Sequence, residues 1–562
     1  MNIFKIKLAL VSLLILPSVL VAEKPQYGGD ITVLHRFVSA ADPASADVAD
    51  GFWTSTVWLA AIADRPFLGD YEKFGPRGTN EYSFEALAYL PEQYIRGNLI
   101  ESWEVTSEKI TWNIRKGVMF TGNEKIGMKP REYTADDCVF SLNYYLNSAP
   151  GKLARGYIAD VKKVGKYKVE LTFDHYDLTW MFYLGYEDRA AHIARETYEA
   201  GASKWENQVS TGPWMIDEYV SGSYMSYKKN PNWWDTTKID GVVYDDIPFM
   251  DKMIWPIIPD VSTQMAALRT GKVDYFWNPN SPYWDELDKG APQLKSHKFT
   301  GVYSFGVEMR VDEPPFDNKN VRHAMSMATS RKSFARLQDR GELPNYFYPI
   351  WVGHPDTLRY SYDDLPKNLQ KIFNYDIEEA KKILAKEGYP NGFKVDVYTK
   401  TTAEDTDRAS LLKDMWGKVG VDVNIIAKDS VSFDKLYRTR PTQMHGAWMM
   451  AGSHGNPAEI LLARESTHHW NANVYNNIWW DTQMGKLKQT VNIKKRHEMI
   501  KELSLFLTDE SLAIKTDPRM EGVYWWPWVK NYYGEFAVAD NDFQPILAKA
   551  WLDQKMKKEM GY

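Results

Sequence analysis

Leu99-Ile100-Glu101-Ser102-Trp103-Glu104-Val105 opens a stretch that continues through Ile110 to Phe120 and on to Tyr133-Thr134-Ala135-Asp136-Asp137. Within it Ile110, Trp112 and Ile114 alternate with Thr111, Asn113 and Arg115, the period-two pattern of a strand with one buried face. Thr134 stands three residues before Asp137, so a capping box with a short acid predicts a helix start there. Val139, Leu142 and Leu146 follow at helical spacing. Tyr167, Val169, Leu171 and Phe173 then alternate with Lys168, Glu170 and Thr172, a second half-buried strand. Strand and helix signals interleave, and a mixed α/β fold is predicted.

The same mixture returns downstream. Asp376 caps a helix with Glu379 at its third position and an apolar face of Ile377, Ala380, Ile383 and Leu384, and Gly388 and Pro390 stop it. A strand over Lys394–Lys400, a helix around Ala409–Lys418 and alternating Val421, Val423 and Ile425 complete a strand–helix–strand unit, so a three-layer α/β domain is expected here. Segments near Pro213, Pro256 to Pro259, Pro314-Pro315 and Pro527 are candidate points where the chain changes domain.

With 562 residues, 44% hydrophobic and 25% charged, the chain can fill two or more cores and is not disordered as a whole. Its 68 Lys+Arg against 74 Asp+Glu give a net charge of −6, so no global positive field draws in a phosphate backbone and nucleic acid is not expected as a partner. Cys138 is the sole cysteine. It can form no internal disulfide and offers no zinc or redox motif, and it reads as a packing residue of the Asp136 helix. Aromatics make up 14%, including 22 Trp and 34 Tyr, which suggests recognition by flat rings. At the start, Lys5 and Lys7 precede an apolar run from Leu8 to Val21, broken by Pro17 and ending at Ala22. This reads as a signal peptide over 1–22, cleaved after Ala22, too short for an anchor. No cysteine lies near the cut, so an exported chain without a lipid anchor is expected.

Catalytic patterns fail. His468 and His469 are adjacent and diverge on strand or helix alike, so they do not share a metal. His497-Glu498-Met499-Ile500-Lys501 has a lysine where a zinc-protease helix needs its second histidine. Neither a Gly-x-Ser-x-Gly elbow nor a phosphate loop occurs. Asp136-Asp137 and Asp245-Asp246 read as capping or solvated acids. No catalytic residue, metal ligand or cofactor is assigned. The rival reading, a secreted hydrolase acting on polymers, needs a proton donor and a base or nucleophile on a cleft, and no motif supplies them.

Further segments carry a resemblance. Tyr27-Gly28-Gly29-Asp30-Ile31-Thr32-Val33 and Ala41-Asp42-Pro43 precede the opening stretch with its Arg115-Lys116-Gly117-Val118. After it come Ser210-Thr211-Gly212-Pro213-Trp214, Lys229-Asn230-Pro231-Asn232-Trp233-Trp234, Ile257-Ile258-Pro259-Asp260 and Ala266 to Asp274. Pro314-Pro315-Phe316-Asp317, Val321-Arg322-His323-Ala324 and Ala385 to Phe393 close the series. In this order the chain resembles the family 5 extracellular solute-binding proteins, the peptide/nickel/oligosaccharide-type receptors of bacterial ABC importers. The resemblance implies an α/β two-lobed periplasmic-binding-protein clamp with an extra third subdomain, type II-like and of cluster C. Mapped onto this chain it implies 23–56, 200–303 and 527–562 for a discontinuous domain I, 57–199 for domain II and 304–526 for domain III. It also implies a periplasmic, non-enzymatic receptor, monomeric when free, that closes on an oligopeptide- or oligosaccharide-like solute and docks on a membrane permease.

The resemblance also frames the ligand. Peptide receptors of the family carry an acid a few residues before a proline in a Trp-rich segment, where it pairs with the peptide's amino terminus. Here the matching segment, His445 to Pro457, contains no acid; the slot falls on Ser453 when aligned on Pro457 and on Ala451 when aligned on Trp448. An ammonium buried without a counter-charge costs several kcal/mol, which counts against free-amine peptides unless a carboxylate such as Glu459 or Asp481 compensates. Nearby aromatics and amides, including Asn471, Asn473 and Asn477, suit a neutral polyhydroxylated ligand. The expected ligand-binding residues are Trp448, Ser453, His454, Asn456, Trp470, Tyr475, Trp479 and Trp480, each tryptophan having core packing as its alternative role. His454 is read as a hydrogen-bonding loop residue.

Overall fold

The computed structural model describes residues 24–36, 46–48, 57–337, 349–350, 354–451 and 455–562. The expected signal peptide, Ala41-Asp42-Pro43, Ser453 and His454 lie outside them. A ten-stranded mixed sheet runs in the order Trp214–Val220, Tyr224–Lys229, Lys252–Pro256, Asp30–His35, Tyr275–Trp277, Ala513–Trp525, Lys295–Met309, Ala447–Ala451, Lys394–Lys400, Asp422–Lys428. Its two central strands are long and join the halves of the molecule. Lys295–Thr300 pairs antiparallel with Met520–Trp525 on the Tyr275–Trp277 side, and Ser304–Glu308 pairs with Ala513–Pro518 on the Ala447–Ala451 side. Between these stretches the register shifts, leaving Tyr303 and Arg519 at the break. Pro518, which has no N–H to give a ladder, and Gly301, where a Cβ would lie 2.4 Å from a Glu521 carboxylate oxygen, sit at the irregularity.

A separate antiparallel sheet in the order Ile100–Val105, Lys109–Ile114, Lys168–Phe173, Ile158–Gly165 is built from the opening stretch of the sequence. The capping box forms: Asp137 accepts the Thr134 N–H at 3.0 Å, and the helix Ala135–Asn147 buries Cys138, Leu142, Tyr145 and Leu146. Burial pushes the Cys138 thiol up to about 12, so it stays an inert packing group. The downstream unit also stands as read. Asp376 accepts the Glu379 N–H at 2.9 Å, and Lys394–Lys400 pairs parallel with Asp422–Lys428 across the helix Ala403–Gly417, which begins earlier than its apolar face suggests because Thr402 caps it.

The quoted motifs meet in space. Asp274 accepts from the Thr32 N–H at 2.8 Å and the Trp528 indole N–H at 2.8 Å and pairs with Lys557 at 2.7 Å, so one buried carboxylate ties together three distant stretches of chain. Arg115 lies over the Trp234 ring at 4.2 Å, and the Asn230 amide donates to the Gly212 carbonyl at 2.8 Å. In the other half, the Arg322 guanidinium donates to the carbonyls of Phe316 and Glu510, each at 2.8 Å. A core of Val307, Met325, Leu384, Val397, Leu412, Trp416 and Val423 fills that half. The larger core spans the four-stranded sheet and the Asp30–His35 side and takes in Leu461, Trp480 and Leu507 as well.

Candidate functional site

A cavity of about 940 Å³ opens beside the break in the two long strands. Tyr303 and Arg519 from that break line it together with Trp277. One wall comes from Leu87, Ala88, Tyr145, Lys152, Phe182, Tyr183, Glu187 and Arg189, the other from Arg438, Glu465, His468, His469, Trp470 and Lys488, and the tail adds Asp540 and Asn541. Three far-apart regions of sequence thus enclose one space. Trp277 is held rigid: His35 stacks on it at 4.2 Å with ring planes 8° apart, and its indole N–H donates to the Phe536 carbonyl at 2.8 Å. Phe182 and Tyr183 sit on a π-helical turn, Phe182–Tyr186, a winding that recurs at functional sites.

Charge is not evenly spread. Glu187 is paired with the Arg189 guanidinium and also accepts the Arg189 N–H at 2.7 Å; Glu465 pairs with Lys488 at 2.7 Å. Asp540 is set in place by its neighbours, since its N–H donates to the Tyr186 carbonyl, Asn541 donates to Asp188 at 2.8 Å, and Asp542 pairs with Arg65 at 2.5 Å. Burial, opposed by Arg65 and reinforced by Asp188, pushes the Asp542 carboxyl up to about 7. On the other wall, burial with the positive charges of Arg440, Lys152 and Arg438 holds the His469 imidazole down at about 4, so it is neutral at neutral pH.

The expected ligand residues separate. Trp470 lines the cavity. Trp448 is fully buried with Phe433, Tyr437 and Met444 beneath it. Trp480 is fully buried against Phe506, while Trp479 is half exposed and meets the same ring at 4.5 Å. Tyr475 is buried, its hydroxyl accepting from Asn477 at 2.9 Å, and Asn456 caps the helix Pro457–Leu462 and borders a small crevice rather than the cavity. The amides that suggested a sugar site are taken up by the backbone: Asn471 bonds Tyr475, Asn473 bonds the Met309 and Leu512 carbonyls, and Asn477 caps a helix. Neither compensating acid reaches the cavity. Asp481 accepts from Ser466 at 2.9 Å, and Glu459 is buried behind Tyr183. Tyr303, Arg519, Arg438 and Asp540 were not singled out by the sequence, because no local pattern marks a strand break or a loop that reaches a cleft from the far end of the chain.

Residues 95–469 match the family model of bacterial extracellular solute-binding proteins, family 5 Middle. The chain belongs to this family, whose members are non-enzymatic solute receptors of periplasmic or extracellular location. It is 24% identical over 443 residues to "Heme-binding protein A" of Haemophilus influenzae, covering 74% of this chain and 77% of that protein. With "Di/tripeptide-binding protein 1" of Pseudomonas aeruginosa it is 24% identical, over 88% of this chain and 90% of that protein. The periplasmic binding protein DppA of Helicobacter pylori, solved in complex with the peptide STSA, superposes with a TM-score of 0.71 at 20% identity, covering 94% of this chain and 99% of that one. The two-lobed receptor fold is therefore established, and no helix among the described residues is long and apolar enough to cross a membrane.

Proposed function

We propose that this protein is the substrate-binding component of an ABC importer that captures a peptide-like solute between its lobes and delivers it to a membrane permease. The observation that carries this reading is the polar, aromatic-lined cavity set on the break in the two strands that join the halves. A hinge there lets the walls close, and only contacts made in the closed form shift such an equilibrium. The domain division is 23–56 with 200–303 and 527–562, 57–199, and 304–526. Export follows cleavage after Ala22, without a lipid anchor, and the free receptor is a monomer. Relatives named for dipeptides and tripeptides support the peptide class. Mass spectrometry of solute released on denaturing the purified protein, with thermal-shift screening of peptide and oligosaccharide sets, tests it. Retained peptides and a rise in melting temperature with peptides alone are expected; a rise with sugars alone overturns the peptide class, and sustained product release favours a hydrolase.

A second reading rests on His468 and His469, which both face the cavity beside Trp470 and the cations Lys152 and Arg438. An aromatic macrocycle with carboxylate arms, such as heme, would find a stacking ring, an imidazole and positive charge there. Titration with hemin decides it: a shifted Soret band saturating at one equivalent favours this reading, and an unchanged band removes it.

A further inference from the structure

Where the two walls touch, carboxylates outnumber the cations that could neutralise them. The helix Pro457–Leu462 is buried along its whole length and faces the segment that carries the π-helical turn, since Pro457 and Ala458 border one small crevice with Leu178, Met181 and Phe182. From this helix Glu459 meets Tyr183 and Asp177 of the facing segment. It forms no ion pair, and one of its oxygens accepts no hydrogen bond, among the described residues. No neighbour is placed to change that. Asp177 is occupied by its own turn, accepting the Thr179 N–H at 2.9 Å and the Thr179 hydroxyl at 2.8 Å, with His175 acting on it from the same segment. Lys488, which acts on Glu459, is paired with Glu465 at 2.7 Å. Arg496, on the helix packed against Pro457–Leu462, is paired with Glu92 at 2.6 Å. Tyr157 also lies within the reach of Glu459 and is itself buried.

We propose that this receptor takes up a proton together with its solute: Glu459 is neutral when the walls meet and ionised when they part, so capture strengthens as pH falls. Opening the cleft hydrates the Glu459 carboxylate; closing it returns the group to a place with no free cation, where the charged form is costly. Burial, reinforced by Asp177, accordingly pushes its carboxyl up to about 8 in the closed form, from an ordinary 4.5. A group whose carboxyl rises on closure binds a proton in closing, so its support for the closed form is complete below pH 4.5 and drains away toward pH 8. By linkage, the proton strengthens solute binding by the same factor by which the solute strengthens proton binding. This proposal rests on capture by lobe closure as read above, and not on the class of solute.

The test is affinity-selection mass spectrometry with the full mature chain and a pool of unblocked tripeptides at about pH 5.5 and about pH 7, a range over which peptide termini keep their charge. Wild type is expected to retain tripeptides roughly tenfold better for each unit fall in pH. Glu459→Gln should lose most of this dependence and exceed wild type at the higher pH. Equal wild-type retention at both pH values, or a profile in folded Glu459→Gln parallel to that of wild type, overturns the proposal and leaves peptide capture standing. If no tripeptide is retained at either pH, the peptide reading falls, and small-angle scattering of the free chain decides the proposal. A radius of gyration that grows with pH in wild type and stays constant in Glu459→Gln supports it; equal wild-type radii overturn it. Should Glu459→Gln fail to fold, calorimetry of wild type with a retained tripeptide in two buffers of unlike ionisation enthalpy reads the proton directly. Uptake approaching one proton per tripeptide supports the proposal, and no uptake overturns it.

Discussion

Glu459 is 1% exposed and one of its carboxylate oxygens has no hydrogen-bond partner among the described residues. Burial, with Asp177 nearby, pushes its carboxyl up to about 8 from an ordinary 4.5. The folded form therefore holds a proton that the unfolded chain gives up. Stability from this group is complete below pH 4.5 and drains away as pH rises toward 8. Glu459→Gln removes the ionisation at nearly constant shape, so its urea midpoint should vary less between pH 5 and 8, with a gain of roughly 1–3 kcal/mol at pH 8; parallel pH profiles for variant and wild type would contradict this. Glu308 behaves in the opposite sense. Burial raises its carboxyl, but Arg464 and Lys515, at 3.2 and 2.8 Å, outweigh that and hold it at about 2. Its contribution is present above pH 4.5 and lost as pH falls toward 2. Glu308→Gln removes the buried carboxylate that Arg464 and Lys515 share and should lose about 3–5 kcal/mol in urea unfolding at pH 7.

At the scale of elements, the edge of the cavity is sealed by a close approach of backbones. A Cβ on Gly455 would lie 1.8 Å from the Leu87 carbonyl oxygen, and Leu87 lines the cavity. The Gly455 carbonyl is fixed from the other side by the His354 ring at 2.6 Å. Side chains cannot relieve a clash with a carbonyl, so Gly455→Ala should hold the two walls apart. Ligand affinity by calorimetry is expected to fall at least about tenfold, with the far-ultraviolet circular dichroism unchanged; wild-type affinity would show that this approach does not belong to the ligand-bound form. The aromatic segment from Trp448 to Trp480 shows why element context decides a residue's role. Strand Ala447–Ala451 turns Trp448 into the small core, helix Ile478–Lys488 turns Trp480 onto Phe506, and the turn carrying Trp470 reaches the cavity.

For the whole molecule, the contacts across the cleft combine apolar packing with polar pairs, since the larger core joins Leu461, Trp480 and Leu507 to the side of the four-stranded sheet. Arg496 pairs with Glu92 at 2.6 Å, and the Leu178 N–H donates to the Lys488 carbonyl at 2.9 Å. Opening the cleft must part this interface, whereas the two long strands remain continuous through the break. Small-angle scattering should therefore record a smaller radius of gyration when a retained peptide is added, and at one hundred times its Kd that peptide should add about 2.7 kcal/mol to stability. An unchanged scattering curve alongside tight binding would rule out closure as the binding event.

Local chemistry in the sequence determined the strands Lys109–Ile114 and Lys394–Lys400, the capped helices after Thr134 and Asp376, and the mixed α/β class, because period and caps act within a few residues. The order of its motifs pointed to the receptor family. Only the tertiary structure brought Asp274 to Thr32, Trp528 and Lys557, and only it placed Tyr303, Arg519 and Asp540 around one cavity. A cleft formed where distant segments meet has no period along the chain. Which side chains are left without partners inside it follows from three-dimensional neighbours alone.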